Sequence, residues 1–314
     1  MNEEQYIQLV AQQCGIRLDA NETAHLLKQL EHVKAQTYDV QHGPNKAKMF
    51  IPVDSSADPG AESITYRQWD QFEMAKVIAN YADDLPLVDV AVKEFTCPVK
   101  SLGSAYQWSI QDLRRAALAN SNLDQRRARA CRMAIERKID DIGAFGEPNT
   151  GLLGLLNNPN IPITVLPNLG AWPTLTPDQI IENLNAMASA ATIATLEAFN
   201  NDTMLLDTVS YNHIAQEHIA VDNRMTILKA FLENNPYIRN IDQWTKLNTA
   251  GAANIHRSVT YFRDPTVLQF NIPMEFEQFP PQAKSLSFVV PCHARVSCVE
   301  VHYPLALTYA DIAL

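Results

Sequence analysis

ITYRQWDQFEMAKVIANYADDLPLVDVAVKEFTCPV, residues Ile64–Val99, alternates polar and apolar side chains on either side of a turn at Ala82–Pro86. From Ile64 to Ile78 the aromatics Tyr66, Trp69 and Phe72 stand among polar residues, and beyond the turn Val88, Val90 and Val92 share one face. Alternation of this kind marks strands rather than helices. The apolar parity then switches to Phe95, Cys97 and Val99, which predicts a β-bulge near Lys93 and Glu94. The result is a long, bent hairpin with apolar residues on both faces. Two strands alone are marginal in water, so such a hairpin needs something to pack against. Its partner is either a sheet of the same chain or a neighbouring molecule.

Working outward, residues 1 to about 42 carry helix-like runs, one of them marked by Leu26, Leu27, Leu30 and Val33, and end at the turn-rich HGPNKAK and DSSADPG. These features predict an arm joined to a body. After the hairpin, Ala128, Cys131, Ile135, Ile139 and Ile142 form an apolar stripe that predicts a helix over Leu123–Ile142. Between Asp112 and Lys138 eight basic residues face three acids, a local balance of +5, so the rest of this −10 chain carries −15. Arg126, Arg127, Arg129 and Arg132 on this helix are candidates to face DNA or an acidic neighbour. A solvated face with ion pairs inside the chain is the plainer reading.

Further on, Thr176-Pro177-Asp178 looks like a helix cap, with the helix running to about Phe199. Met204–Thr208 reads as a buried strand, Ser210 as the N-cap of a short helix, and Met225–Asn235 as a helix ended by Pro236. Strand patterns resume at Ser258–Phe262, Val267–Ile272 and Leu286–Tyr303, the last broken at Pro291. The fold class is α+β.

An overall charge of −10 argues against a dedicated nucleic-acid binder. Five cysteines without a CxxC pair suggest reduced thiols in a cytoplasm, and the acidic amphipathic start MNEEQYIQLVAQQ does not resemble a secretory signal. The most apolar helical stretch, Ala186–Phe199, is too short and too polar to span a membrane. Asp207, Ser210 and His213 have the residue types of a hydrolase triad, but no GxSxG elbow is present. Along one strand Cys292 and Cys298 would be six rises of about 3.3 Å apart, too far to share an ion. No GxxxxGK[ST] or GxGxxG occurs, and Asp83-Asp84 and Asp140-Asp141 read as solvated pairs. The expectation is therefore no catalytic residue, no metal and no cofactor.

The stretches TYRQWDQ (from Thr65), YADDLPLVDV (from Tyr81), SLGSAYQWSIQDLRRA (from Ser101), FGEPNTGLLGLLNNPNIP, LKAFLENNPY (from Leu228), YFRDPTVLQFNIPMEFEQFPPQ (from Tyr261) and HYPLALTYADI occur in an order that resembles tailed-phage major capsid proteins. That family has the Hong Kong 97-type shell fold, shared with encapsulin compartments. The resemblance implies an N-terminal arm (1–61), an extended hairpin loop (62–110), a peripheral domain with a spine helix (111–159), an axial domain (160–275) and strands returning to the peripheral domain (276–314). It further implies a structural subunit that assembles with itself into pentamers and hexamers of an icosahedral shell around double-stranded DNA. Scaffold, portal or decoration proteins would be further partners, and assembly would take place in a host bacterial cytoplasm before the protein resides in the virion. Tyr66, Trp69, Phe72 and Val90 become the candidate contacts between subunits. An encapsulin-like compartment is the alternative reading and a cytoplasmic hydrolase a remote one. Some shells of this fold join a loop lysine to a neighbour's asparagine. Lys76, Lys93 and Lys100 lie in the proposed loop, but no matching asparagine motif is found.

Overall fold

The computed structural model describes residues 43–72, 89–112, 114, 123–220, 223–252 and 255–313. The chain divides into residues 1–44 and a second unit, Asn45–Leu314. The helices expected before residue 42 and the turn at Ala82–Pro86 lie outside the described residues.

In chain order the second unit opens with α1 (Ala47–Phe50), β1 (Val53–Asp54), β2 (Ser63–Phe72), β3 (Asp89–Pro98), β4 (Lys100–Ser109) and α2 (Leu123–Phe145). It continues through β5 (Gly146–Glu147), β6 (Leu152–Leu153), α3 (Pro177–Ala194), β7 (Thr203–Leu206), α4 (Thr208–Gln216), β8 (His218–Ala220), β9 (Asn223–Thr226), α5 (Ile227–Asn234) and β10 (Asn240–Gln243). The last third is strand-rich: β11 (His256–Tyr261), β12 (Leu268–Asn271), β13 (Met274–Gln278), β14 (Gln282–Lys284), β15 (Ser287–Val296), β16 (Val299–Val301) and β17 (Leu307–Ile312).

Two cores organise these elements. The stripe Cys131, Ile135, Ile139 and Ile142 buries α2 in a core shared with Phe270 of β12, Val296 of β15 and Val299 of β16. The helix stops because Gly146 takes φ +70°, and a side chain there would press on the Leu152 carbonyl. The second core sets Ile180, Leu184 and Met187 of α3, Ile214 of α4 and Phe231 of α5 against the sheet β10-β7-β11-β17. Its α3 begins with a reciprocal capping box between Thr176 and Gln179. Strand β7 is buried along its whole length, as expected of a central strand.

A buried polar cluster ties the second sheet to the loop after β6. Arg257 of β11 grips Asp311 of β17 through two hydrogen bonds of 2.6 and 2.9 Å and donates a third, of 2.9 Å, to the Leu156 carbonyl. The same guanidinium lies 4.6 Å from the Tyr309 ring, whose hydroxyl donates to the Leu155 carbonyl.

Several local expectations are corrected. Asp207, not Ser210, is the N-cap of α4, accepting from Val209 N and Ser210 N at 3.0 and 2.9 Å. A carboxylate reaches two amides at once and is the stronger acceptor. Helix α3 ends at Ala194, and Leu196 and Glu197 then adopt left-handed backbone (φ 52° and 70°). Asp140 is buried, not solvated: it accepts the Ala47 amide at 2.7 Å, and Lys246 bridges Asp140 and Asp141. Pro291 does not break the last strand. Its carbonyl accepts from Phe279 N at 3.0 Å, so the missing donor faces the same edge, where β13 has ended and β14 has not begun. The break falls instead at Ser297-Cys298, between β15 and β16.

Asp311→Ala should destabilise the subunit by about 3–5 kcal/mol, because it leaves the Arg257 charge buried without its partner. Urea unfolding followed by circular dichroism measures this, and an unchanged midpoint would remove the cluster from any structural role.

Candidate assembly surface

Strands β2 and β3 form a two-stranded ribbon whose register runs unbroken from Ser63↔Pro98 to Phe72↔Asp89. The bulge expected near Lys93 and Glu94 is absent, with Gln68↔Lys93 and Arg67↔Glu94 paired in line. The parity switch has another cause. With side chains alternating strictly, Tyr66, Phe95 and Cys97 fall on one face, whereas Trp69 and Val92 fall on the other.

The first face packs on its own body. Tyr66 stacks on Phe95 (5.1 Å between ring centroids), meets His302 edge-on (4.6 Å) and turns its hydroxyl towards the Val301 carbonyl at 3.4 Å. Cys97 is bonded to Cys298. The expectation of reduced thiols is therefore corrected for this pair: the end of β3 and the gap after β15 bring the two Cα atoms within 6.0 Å. The base of the ribbon is further held by Val99 N to the Glu62 carbonyl (2.8 Å) and Ser297 Oγ to the Pro98 carbonyl (3.0 Å).

Between ribbon and body lies a pocket of about 180 Å³ lined in part by Tyr66, Gln68, Cys97, Cys298, Glu300 and His302. Glu300 is buried and its Oε1 has no hydrogen-bond partner. Burial holds its carboxyl above the usual range, with Asn271 partly offsetting this and the Asp54 charge adding to it. Burial also lowers the pKa of His302, favouring the neutral imidazole.

The second face has no such cover. Near the base it is polar, with Thr65 and Thr96 hydroxyls 2.9 Å apart and Arg67 paired to Glu94 at 2.8 Å. Further out Trp69 is 62% exposed and the opposite Val92 44%. Of the four expected contact residues, Tyr66 is thus engaged within its own chain and Trp69 is free on the surface. Phe72 and Val90 belong to the ribbon's backbone ladder, and their side chains lie outside the described residues. Strand β4 leaves the ribbon and pairs with β15 along its whole length.

On α2 the four candidate arginines separate. Arg127 donates to the Gln107 carbonyl at 2.6 Å and lies 3.8 Å from Asp112, while Arg132 sits over the Phe276 ring at 5.8 Å. Arg126, Arg129, Arg132 and Arg137 are all exposed, and the spacing of Arg126, Arg129 and Arg137 puts these three on the helix face opposite the buried stripe.

The residue types weighed for catalysis and metal binding are engaged in other contacts. Asp207 is engaged by its helix cap and by His256 Nδ1 at 2.8 Å. Cys292 lies beside Cys131, whereas Cys298 is bonded to Cys97. Cys97, Cys298 and Glu300 do lie within 4.8 Å of one another, but the two sulfurs are bonded to each other, which leaves one carboxylate and no metal site. Among the described residues no helix is long and apolar enough to cross a membrane.

The family model for major capsid proteins matches residues 73–312. The chain belongs to this family. Its fold is the Hong Kong 97 type, and the capsid of Myoviridae phage XM1 is similar to it at TM-score 0.81 and 20% identity, over 91% of this chain and 97% of that one. A chain of Mycobacterium phage Ogopogo is similar at TM-score 0.61 and 13% identity, over 92% and 99% of the two chains. A virus-like particle from Pyrococcus furiosus stands further off, at TM-score 0.50 and 11% identity, over 83% and 90%. No curated protein sequence matches the chain. Membership in the family makes this a structural protein.

Replacing Glu300 by Gln should stabilise the capsid subunit at neutral pH. An acid whose folded pKa is raised favours the folded state below its unfolded pKa, and that contribution is lost as pH rises through the folded value. Thermal melting between pH 4 and pH 8 should therefore show a shallower decline with pH in the variant. Parallel curves would mean that Glu300 carries no such penalty.

Proposed function

We propose that this chain is the shell-building subunit of a tailed phage, assembling with itself into pentamers and hexamers of an icosahedral capsid around double-stranded DNA, and catalysing no reaction. The observation that carries the proposal is Trp69, exposed opposite Val92 on the face of the ribbon turned away from its own body. A contact between this surface and a different surface of the next copy is head-to-tail, and head-to-tail contacts close into rings when the rotation permits. A buried Trp is worth a few kcal/mol, roughly 2 or more at the centre of an interface, and each copy repeats the contact. Leu196, 90% exposed at the end of α3, and Val165 and Leu169 in the preceding loop are further apolar surfaces for neighbours to cover.

DNA contact is assigned to the outer face of α2, where Arg126, Arg129 and Arg137 are exposed. A stripe of arginines suits non-specific phosphate binding. This favours a DNA-filled shell over an encapsulin-like compartment, as does the lower similarity to the Pyrococcus furiosus particle. Assembly in the host bacterial cytoplasm, with scaffold, portal or decoration proteins as partners, completes the reading, and the mature location is the virion.

Trp69→Ala should leave the subunit folded and cut the yield of closed particles by at least about tenfold, the equivalent of roughly 1.4 kcal/mol per contact. Sedimentation and negative-stain microscopy of the native chain and the variant provide the test: particles from the variant at native yield would overturn the assignment of Trp69, and absence of rings or shells from the native chain would overturn the function. Arg129→Ala combined with Arg137→Ala should make the log–log dependence of duplex DNA binding on salt shallower by roughly 1.8 if each arginine neutralises one phosphate. Filter binding over a salt series measures that slope.

A further inference from the structure

The described cysteines form two pairs with opposite surroundings. Cys131 of α2 and Cys292 of β15 are both buried and unbonded. The Cys292 thiol is pushed up to about 12 by burial and by its neighbour Cys131, so almost none of it is the reactive thiolate. Cys97 and Cys298 are bonded to each other and line the pocket beneath the ribbon. Cys97 is the more accessible of the two, since Cys298 is 2% exposed and Cys97 only partly buried.

Position gives this bond its significance. Cys97 is the penultimate residue of β3, at the root of the ribbon, and Cys298 lies between β15 and β16 of the body. The other cross-links at that root, beyond the peptide backbone, are non-covalent: Val99 to Glu62, Ser297 to Pro98, and Tyr66 to Val301. Besides the backbone itself, one covalent bond, spanning 201 residues of sequence, ties the root of the ribbon to the body, and opening it leaves only non-covalent contacts across that gap.

We propose that Cys97 and Cys298 are a redox latch, open as thiols while subunits assemble in a reducing cytoplasm and closed once the particle meets an oxidising medium. The inference rests on the capsid reading given above, because it is assembly inside a bacterium that supplies the reducing stage. The oxidant is a low-molecular-weight disulfide admitted by the pocket. Cys97 loses its proton and attacks one sulfur of the reagent, forming a mixed disulfide and expelling one small thiolate, which takes up the proton. The Cys298 thiol, likewise deprotonated, then attacks the Cys97 sulfur and expels the second small thiol. In total two protein thiols and one small disulfide become one protein disulfide and two small thiols, and the protein gives up two electrons and two protons. Closing the latch sets the direction of the ribbon, and with it the position of Trp69, after the contact between copies has formed. The buried Cys131 and Cys292 take no part.

The test begins with cells producing the full chain, lysed directly into N-ethylmaleimide. Peptide mass spectrometry should find Cys97 and Cys298 alkylated in this sample. After incubation of unblocked particles with 2-hydroxyethyl disulfide it should find them joined, with Cys131 and Cys292 still unjoined. The oxidised particles should melt several degrees above reduced ones, dithiothreitol should reverse the shift, and Cys97→Ser particles should show no shift. Cys298→Ser should trap the reagent on Cys97 as a mixed disulfide. A bond already complete in the alkylated lysate, a bond that never forms, or equal melting of the two forms would each overturn the latch. Alkylation and melting require no variant, so a misfolded substitution cannot hide the answer. Failure of the native chain to form particles would overturn the capsid reading instead, while the alkylation pattern of its free subunits would still decide the order of oxidation.

Discussion

Side chains along a strand alternate between two faces, and the ladder between β2 and β3 keeps that alternation from Ser63 to Phe72 without a slip. Everything distinctive about the surface follows from this constraint. An apolar pattern that changes parity within a regular ladder must place its apolar groups on different faces at different heights. Near the root they face the body, where Tyr66 and Phe95 stack and Cys97 is bonded. Further out, Trp69 and Val92 occupy the opposite face, where both are exposed. One ribbon thus presents apolar groups on both faces, and a bulge, which would have rotated both sets onto one face, would have removed that division.

A protruding ribbon transmits force only if its base is stiff. The base is joined to the first core through Cys298, Val299 and Val301, and that core is filled by the apolar stripe of α2. The second core is tied in through Arg257, Asp311 and Tyr309, which reach the carbonyls of Leu155 and Leu156, residues that belong to the first core. Buried charge of this kind contributes little net stability compared with an apolar substitute, but loss of either partner leaves a costly unpaired charge. Together with the capping of α1 by Asp140 and its lysine partner Lys246, it gives the subunit a defined rather than merely compact interior.

Features with a local cause were legible in the sequence. The stripe of α2, the capping box of α3, the buried run of β7 and the existence of the hairpin each depend on residues within a few positions of one another. Features decided at long range were not. Nothing local distinguishes Cys97 and Cys298 as a pair, since 201 residues separate them. Asp140 looked solvated because its partners, Ala47 and Lys246, are distant in sequence. The parity switch was visible, but two physical causes produce it, and only the register between strands tells a bulge from a change of face. Pro291 looked like a strand breaker because the sequence does not reveal that its missing donor faces a gap in the neighbouring strand.

Charge sets the remaining constraint on a shell made from an acidic subunit. The chain carries −10 overall, and removing the +5 of Asp112–Lys138 leaves −15 on the rest, so copies repel where acidic surfaces meet. At physiological salt the screening length is about 8 Å, which confines that repulsion to charges near the contact. The exposed face of the ribbon suits this condition: Trp69 and Val92 are neutral, and Arg67 and Glu94 beside them cancel one another. A neighbour can therefore cover this face without bringing net charge into the interface. In the DNA contact proposed for the exposed arginines of α2, affinity for phosphate would come from released counterions, a gain that salt removes. The apolar contact has no counterions to release. On the proposed function, raising salt should accordingly loosen the hold on DNA well before it loosens the contact between subunits.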